Sequence, residues 1–359
     1  MKIALVYDRV NKWGGAEQIL LCLHEMFPEA SLYTSVFDLK NASWAKVFKV
    51  VETSFLQKIP WARSRHEYLG TFMPLVFESF DFSNFDLVIS VTSEAAKGII
   101  VKPPTKHISI ILTPTRYLWS GYDIYFKNPI LRLISYPFIV YLRNWDRIAS
   151  KRPDKLIAIS KEVNKRISKY YKRNSEIIFP PVDLEKLSAF KKEKVTKKDY
   201  YLLVSRLVPY KKVDIAIRAF NKLGKKLIVV GGGNSLKKLK IISKNNISFV
   251  GIVDSKILVK LYQEAKALIM PQEEDFGIVS VEAQFFNTPV ITYQKGGATD
   301  TVVNEKTGIL FEKQTVDSLM SAVKEFEKRK FLENDLLQNS IKFSKEVFKE
   351  KILSIIKYD

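Results

Sequence analysis

At 359 residues the chain is long enough for two or three domains of about 150 residues each, and 47% hydrophobic content with 12% aromatics excludes wholesale disorder. Lys and Arg number 58 against 38 Asp and Glu, a formal net charge of +20, so the surface attracts anions: nucleotides, nucleic acid or an acidic membrane face. The single cysteine, Cys22, excludes a disulfide framework and a cysteine-rich zinc site.

The apolar burst from Ile3 to Tyr7, closed by Asp8 and a Gly14-Gly15 turn, predicts a buried parallel strand, a loop and a helix starting near Ala16. The same rhythm returns at residues 85–90, 107–112 and 155–160. Between the last two, residues 130–142 form the longest apolar stretch. It is interrupted by Arg132 and Pro137 and falls short of the roughly 20 residues that span a bilayer. With an N-terminus too short for a signal peptide, the expectation is a cytoplasmic protein, soluble or peripheral on the inner face of the membrane.

The texture changes at residues 185–198, where lysine dominates and no strand is legible. Strand-helix alternation then restarts at 200–205, 227–231, 247–251, 267–270 and 289–293, and the tail from about Ser318 is helical and lysine-rich. Such alternation predicts an α/β protein with parallel sheets covered by helices. The economical arrangement is two doubly wound, Rossmann-like halves facing each other across a cleft that holds the ligand. The expected boundaries are an N-terminal domain at 1–190, a C-terminal domain at 191–342, and a terminal helix at 343–359 packing back toward the first domain.

The densest chemical signal is PQEEDFGIVSVEA at residues 271–283, which places Glu274 in a loop and Glu282 about a turn into a helix. Amides near Gly277 and Ile278, at the helix start, suit an anion such as phosphate. A carboxylate accepts hydrogen bonds from a diol, so one Glu suits a ribose and the other a sugar ring. Ordinary enrichment of acids at a helix start accounts for the same spacing. A second signal is SRLVPYKK at 205–212, where Arg206 and Lys211 leave one strand together. A planar fork and a point charge fit a diphosphate, although a basic turn in so lysine-rich a chain is also ordinary solvated surface. The Gly231-Gly232-Gly233 run lacks the Lys-Ser/Thr of a P-loop, and Gly14-Gly15 lacks the dinucleotide fingerprint.

Together these motifs, with TPTRYLW at 113–119, LRNWD at 142–146, FPPVD at 179–183 and GGA at 296–298, resemble the retaining GT-B glycosyltransferases of family 4. The similarity is greatest to the mannosyltransferase-like branch that assembles bacterial O-antigen or capsule. The resemblance implies transfer of a hexose or 6-deoxyhexose from a nucleoside-diphosphate sugar (GDP-, UDP- or dTDP-linked, GDP-mannose-like favoured) to a glycan or lipid-linked acceptor. It implies that Arg206 and Lys211 bind the diphosphate, Glu282 the ribose and Glu274 the sugar, with backbone at Phe276, Gly277 and Ile278 assisting. Gly14 and Gly15 would lie on the donor from the first domain, and Ile252 and Val253 would meet the base. Arg116, Tyr117, Trp119 and Asp123 fall at acceptor-side positions. No cofactor or metal is expected, since Asp-x-Asp is absent.

One departure concerns Leu112, which stands where the family commonly has a histidine facing the sugar near its C6 hydroxyl. Leucine cannot satisfy a hydroxyl there, and leaving one buried costs about 1–3 kcal/mol. Either the donor is a 6-deoxyhexose or an ordinary hexose turns that hydroxyl to water. Residues 42–65 interleave Trp44, Phe48, Phe55 and Trp61 with Lys46, Lys49, Lys58, Arg63 and Arg65, which suits an anionic membrane surface or a partly buried amphipathic hairpin. His24, His66 and His107 show no ligand spacing. Alternatives are another GT-B enzyme, an inactive homologue, or a basic nucleic-acid-binding protein, although no specific nucleic-acid motif accompanies the charge.

Overall fold

The computed structural model describes residues 1–59, 61–192 and 195–357, with residues 64–68 described by backbone alone. The side chains of Arg65 and His66, and residues 193, 194, 358 and 359 of the lysine-rich stretch and the tail, lie outside the described residues. Two compact units are present, one of Met1–Pro180 with Lys351–Asp359 and one of Pro181–Glu350.

The first unit contains, in order, β1 (Ile3–Tyr7), α1 (Gly15–Met26), β2 (Ser31–Thr34), β3 (Val51–Thr53), α2 (Ala62–Arg65), α3 (Met73–Glu78), β4 (Leu87–Thr92) and β5 (Lys106–Ile111). It continues through α4 (Tyr122–Tyr125), α5 (Pro129–Ala149), β6 (Lys155–Ala158), α6 (Lys161–Tyr171) and β7 (Glu176–Ile177). The second holds α7 (Leu184–Ser188), β8 (Tyr201–Val204), α8 (Val213–Leu223), β9 (Leu227–Val230), α9 (Leu236–Ile241), β10 (Ile247–Gly251), α10 (Ser255–Glu264) and β11 (Leu268–Met270). Then come α11 (Ile278–Phe285), β12 (Val290–Tyr293), α12 (Ala298–Thr301), β13 (Gly308–Phe311), α13 (Val316–Glu327) and α14 (Glu333–Ile341); α15 (Lys345–Lys357) starts in the second unit and from Lys351 belongs to the first.

Each unit is a parallel sheet. The first runs β3-β2-β1-β4-β5-β6-β7 and the second β10-β9-β8-β11-β12-β13. In both, the order reverses beside the unit's opening strand, between β1 and β4 and between β8 and β11, and ligands bind beyond the carboxyl ends of the strands at such a reversal. The apolar runs are continuous because both faces of each sheet are covered. In the second unit alternate residues divide between two cores: Leu203, Val229, Ile269 and Ile291 pack on one side, Leu202, Val230, Leu268 and Val290 on the other.

Helix ends follow local chemistry. Ser160, Asp254 and Thr315 accept hydrogen bonds from Val163, Ile257 and Ser318 at the starts of α6, α10 and α13. Gly224, at φ 69°, ends α8 in the left-handed conformation that glycine adopts without strain. Helix α5 runs unbroken through Pro137. Two differences from the sequence expectations stand out. Among the described residues of 42–65 there is no hairpin, because β3 pairs in parallel with β2. The second unit begins at Pro181, before the compositional boundary, because α7 and its approach pack there.

His107 on β5 is 1% exposed, with Nε2 2.9 Å from Ser90 Oγ. Burial, reinforced by the Arg173 and Arg152 charges, pushes its pKa down to about 3. The unfolded chain therefore binds an extra proton between that value and about 6.5, so stability falls as pH drops through this window, by about 1.4 kcal/mol per unit from this group. Equilibrium urea unfolding of wild type and His107→Gln checks it. The stability lead of wild type over the variant is expected to shrink by about that slope between pH 6 and 5, and a pH-independent difference would refute a buried neutral imidazole.

Candidate active site

At the reversal point of the second sheet, two loops leave the carboxyl ends of adjacent strands. The loop after β8 carries Arg206 and Lys211, and the loop after β11 carries Glu274. The Lys211 Nζ donates to Glu274 Oε1, with side chains 12% and 16% exposed. Gln272 Nε2 donates to the same oxygen at 2.8 Å. Arg206 is exposed, its guanidinium 2.7 Å from the Tyr210 hydroxyl, while Lys211 lies over the Tyr210 ring at 5.5 Å. These contacts bring three of the expected donor residues to one edge.

Glycines set this edge. The Glu274 carbonyl accepts from the Gly297 amide at 2.7 Å, and a Cβ at Gly296 or Gly297 would overlap the backbone of residues 274–276. A side chain there would push the Glu274 loop off the sheet. On the other side, Gly231 and Gly233 pack under the carbonyls of Ser205 and Leu207, and Leu207 N bonds Gly232 O at 2.9 Å. The glycine triplet, which alone reads as a turn, thus shapes the Arg206 loop. Ile252 lies beside it, 86% exposed, with its side chain against Gly232, and Val253 follows half-buried.

Helix α11 starts at Ile278, with Gly277 at φ 98° as its cap and no side chain capping it. The amides of its first turn face the same edge as the β11 loop. Phe276 is buried, against Phe343 at 5.5 Å. Glu282 sits a turn into the helix, 9% exposed. Its Oε2 accepts from the Tyr262 hydroxyl at 2.9 Å, whereas Oε1 takes no hydrogen bond among the described residues. Burial raises the Glu282 pKa, and the Tyr262 bond offsets part of that.

In the first unit, Gly14 caps α1, and the exposed Gly15 opens it. The segment after β5 carries the acceptor-side candidates. Trp119 Nε1 donates to Asp146 Oδ2 at 2.7 Å, its ring stacks on Tyr170 at 5.0 Å, and Tyr117 lines a small cavity with Glu94, Thr115 and Asp146. Arg116 is half-buried, and Asp123 is exposed and 3.2 Å from Arg132. Leu112, directly after β5, is half-buried, its amide donating to the Thr92 carbonyl at 2.8 Å.

Sequence reasoning missed a polar centre in this unit. Asp8, just past β1, accepts from Thr92 Oγ1 at 2.8 Å and from the amides of Ser93, Glu94, Ala95 and Ala96 at 2.7–3.0 Å. That turn presents Glu94 to Arg9 at 2.7 Å, and burial pushes the Glu94 carboxyl up against the opposing pull of Arg9. Arg9 Nε is buried and finds no acceptor among the described residues. Lys97 and Asp146, each 1% exposed, pair at 2.5 Å. An Asp directly after the first apolar burst was the available signal for Asp8; the Lys97–Asp146 pair left none.

Residues 185–343, inside the second unit, match the family model for Glycosyl transferases group 1. Over 216 residues the chain is 28% identical to an uncharacterized glycosyltransferase of Methanocaldococcus jannaschii, covering 58% of this chain and 60% of that one. It is 29% identical over 165 residues to the GDP-mannose-dependent alpha-(1-6)-phosphatidylinositol monomannoside mannosyltransferase of Mycobacterium tuberculosis, covering 41% and 43%. The matches thus span less than two thirds of these relatives' length. Among solved structures, Anabaena HepE in complex with UDP matches with a TM-score of 0.72 at 16% identity, covering all of both chains. The sucrose-phosphate synthase of Thermosynechococcus elongatus gives 0.76 at 15%, covering 100% and 99%. These likenesses show the fold: two Rossmann-like parallel-sheet domains of the GT-B type.

The packing of the Arg206 loop can be probed by stability alone. Gly231→Ala meets both a positive φ of 125° and the Ser205 carbonyl, whereas Gly224→Ala meets a positive φ with nothing within 4 Å. Urea denaturation should show about 1 kcal/mol lost for Gly224→Ala and at least twice that for Gly231→Ala. Equal losses would mean that the triplet does not support the loop.

Proposed function

We propose that the chain is a glycosyltransferase that moves a hexose or 6-deoxyhexose from a nucleoside-diphosphate sugar to a glycan or lipid-linked acceptor in surface-polysaccharide synthesis. The observation that carries this reading is the Lys211–Glu274 pair, with Arg206 beside it, at the strand-order reversal of the second sheet. That edge lies within the segment that matches Glycosyl transferases group 1. The dependence of the mycobacterial relative on GDP-mannose favours a GDP-mannose-like donor, and HepE in complex with UDP-glucose supports nucleotide sugars as the ligand class.

In the proposed reaction, the bond between the anomeric carbon and the phosphate oxygen breaks, and its electron pair leaves with the diphosphate. The acceptor oxygen bonds the anomeric carbon, and its proton passes to the departing phosphate oxygen, with retention of configuration. Arg206, Lys211 and the α11 amides meet the negative charge that grows on the leaving group, so the protein's own cations supply the stabilisation without a metal. Glu282 Oε1 is available to a ribose hydroxyl, Glu274 to a sugar hydroxyl, and Ile252 and Val253 give the base an apolar contact. Arg116, Tyr117, Trp119 and Asp123 are the acceptor candidates. The location we infer is cytoplasmic.

A thermal-shift and hydrolysis screen over GDP-, UDP- and dTDP-sugars tests the reading, because a ligand that binds only the folded state raises the melting temperature. One strong hit that survives EDTA is expected. Arg206→Ala or Lys211→Ala should then lower kcat by about 10²–10³-fold. Wild-type turnover unaffected by either change, or no nucleotide sugar bound at all, would reject the assignment.

Leu112 bears on the sugar. The chain is expected to turn over a 6-deoxyhexose donor at least as well as its hexose counterpart, and Leu112→His should shift preference toward the hexose by about tenfold, the worth of one hydrogen bond. Steady-state kcat/KM on GDP-mannose and a 6-deoxy donor decides it. A strong preference of wild type for GDP-mannose would end the 6-deoxy proposal.

A further inference from the structure

Helix α5 has an inner stripe and an outer one. Ile139, Leu142, Asp146 and Ala149 are buried at spacings of three and four and fix the helix to its unit. At 100° per residue the opposite face carries Ile130, Ile134, Pro137, Tyr141 and Ile148. A globular helix normally turns charged residues that way, yet between Ile130 and Tyr141 eight large apolar side chains are exposed. Leu133 is 76%, Ile130 68% and Ile134 65% exposed, and Ile124 and Tyr125 on neighbouring α4 are 56% exposed each.

Charge says what covers this face. Along α5 the ionised groups that reach solvent are Arg132, Arg143 and Arg147, and its one acid, Asp146, is buried on Lys97. Lys127 precedes the helix, exposed. Asp123 of neighbouring α4, itself exposed, is paired with Arg132 at 3.2 Å. An apolar stripe with aromatic residues, flanked by Lys127, Arg132, Arg143 and Arg147, complements an interface of acyl chains and anionic headgroups. No described helix is long and apolar enough to cross a membrane, so α5 would lie along one. Residues 42–65 offer less apolar surface: Phe48 and Leu56 are in the core, the Trp44 indole donates to the Lys12 carbonyl at 2.9 Å, and Phe55 and Trp61 are exposed.

We propose that the outer face of α5 docks the protein on an anionic phospholipid bilayer, with Ile130, Leu133 and Ile134 entering the headgroup–acyl boundary. The inference stands on the surface of the first unit and does not depend on the transferase reading of the second. Flotation of the full chain with phosphatidylglycerol/phosphatidylcholine vesicles tests it. Wild type is expected to float with the anionic vesicles, more weakly in 0.5 M NaCl, and little with phosphatidylcholine alone. The triple variant Ile130→Ser, Leu133→Ser, Ile134→Ser should bind at least tenfold more weakly with an unchanged melting temperature, since all three side chains are exposed. Ile241→Ser, which changes an exposed apolar residue of the second unit, should bind as wild type does. Absence of wild-type flotation at low salt, or retention of it by the folded triple variant, would overturn the proposal. So would a sedimentation-detected dimer that the triple variant dissolves without any vesicle binding, which would make this face a contact between copies.

Discussion

Lys211 and Glu274 tie the loop after β8 to the loop after β11, and the site in the second unit is built on that tie. Both side chains are mostly buried, so either charge alone would be costly there. A charge-assisted hydrogen bond of this kind contributes about 1.5–3 kcal/mol. Its chemical importance lies in valence. An ammonium has three donors, so Lys211 can hold Glu274 and still meet phosphate oxygens. Glu274 Oε2 likewise takes no hydrogen bond among the described residues and is left for a hydroxyl. In the proposed reaction the Lys211 cation is already mostly desolvated before the diphosphate arrives, so little reorganisation is left to that step.

The same topological position in the first unit is used differently. Asp8 follows β1 as Arg206 follows β8, but its carboxylate is saturated by two hydroxyls and four amides at the end of β4 and the turn after it. A carboxylate so fully bonded has nothing left to offer a ligand. Its work is to fix the turn that holds Glu94 against Arg9. Two parallel sheets with the same reversal therefore diverge through one property, whether the carboxylate at the reversal point has spare acceptor capacity.

How much of this was legible in the sequence depended on range. The strands that read clearly, such as β1, β5, β8 and β12, are apolar runs whose signal is local. The ones that did not, β2, β3, β7 and β13, have two to four residues each, and three of them begin or end a sheet. Pairing with a neighbour defines such short segments more than their own composition does. That Arg206, Lys211 and Glu274 would share one edge was legible because they lie in two short segments with recognisable spacing. The Gly296–Glu274 approach and the Lys97–Asp146 pair were not, since each joins positions that only the fold brings together. Residues 130–142 were read as too interrupted to span a bilayer, and no described helix is long and apolar enough to do so. That the segment forms one helix was not legible, because Arg132 and Pro137 interrupt its apolar run while the surrounding helix carries Pro137.

Helix α5 links the outside of the first unit to the loop that follows β5. Asp146, on the inner stripe, receives the Trp119 indole and the Lys97 ammonium, and the guanidinium groups of Arg143 and Arg147 lie 5.6 and 4.9 Å from the Trp119 ring. Arg143 also donates to the Leu118 carbonyl at 2.7 Å. A helix held this firmly along its second half can leave its first turns in the open without losing its place, because the inner contacts, not the outer ones, hold it to the unit. Whatever the outer stripe rests on is then fixed in orientation relative to Trp119 by one rigid element, through side chains buried at the other end of the same helix. The exposed apolar face and the buried Lys97–Asp146 pair are in that sense one construction: removing the pair would loosen the helix that presents the face.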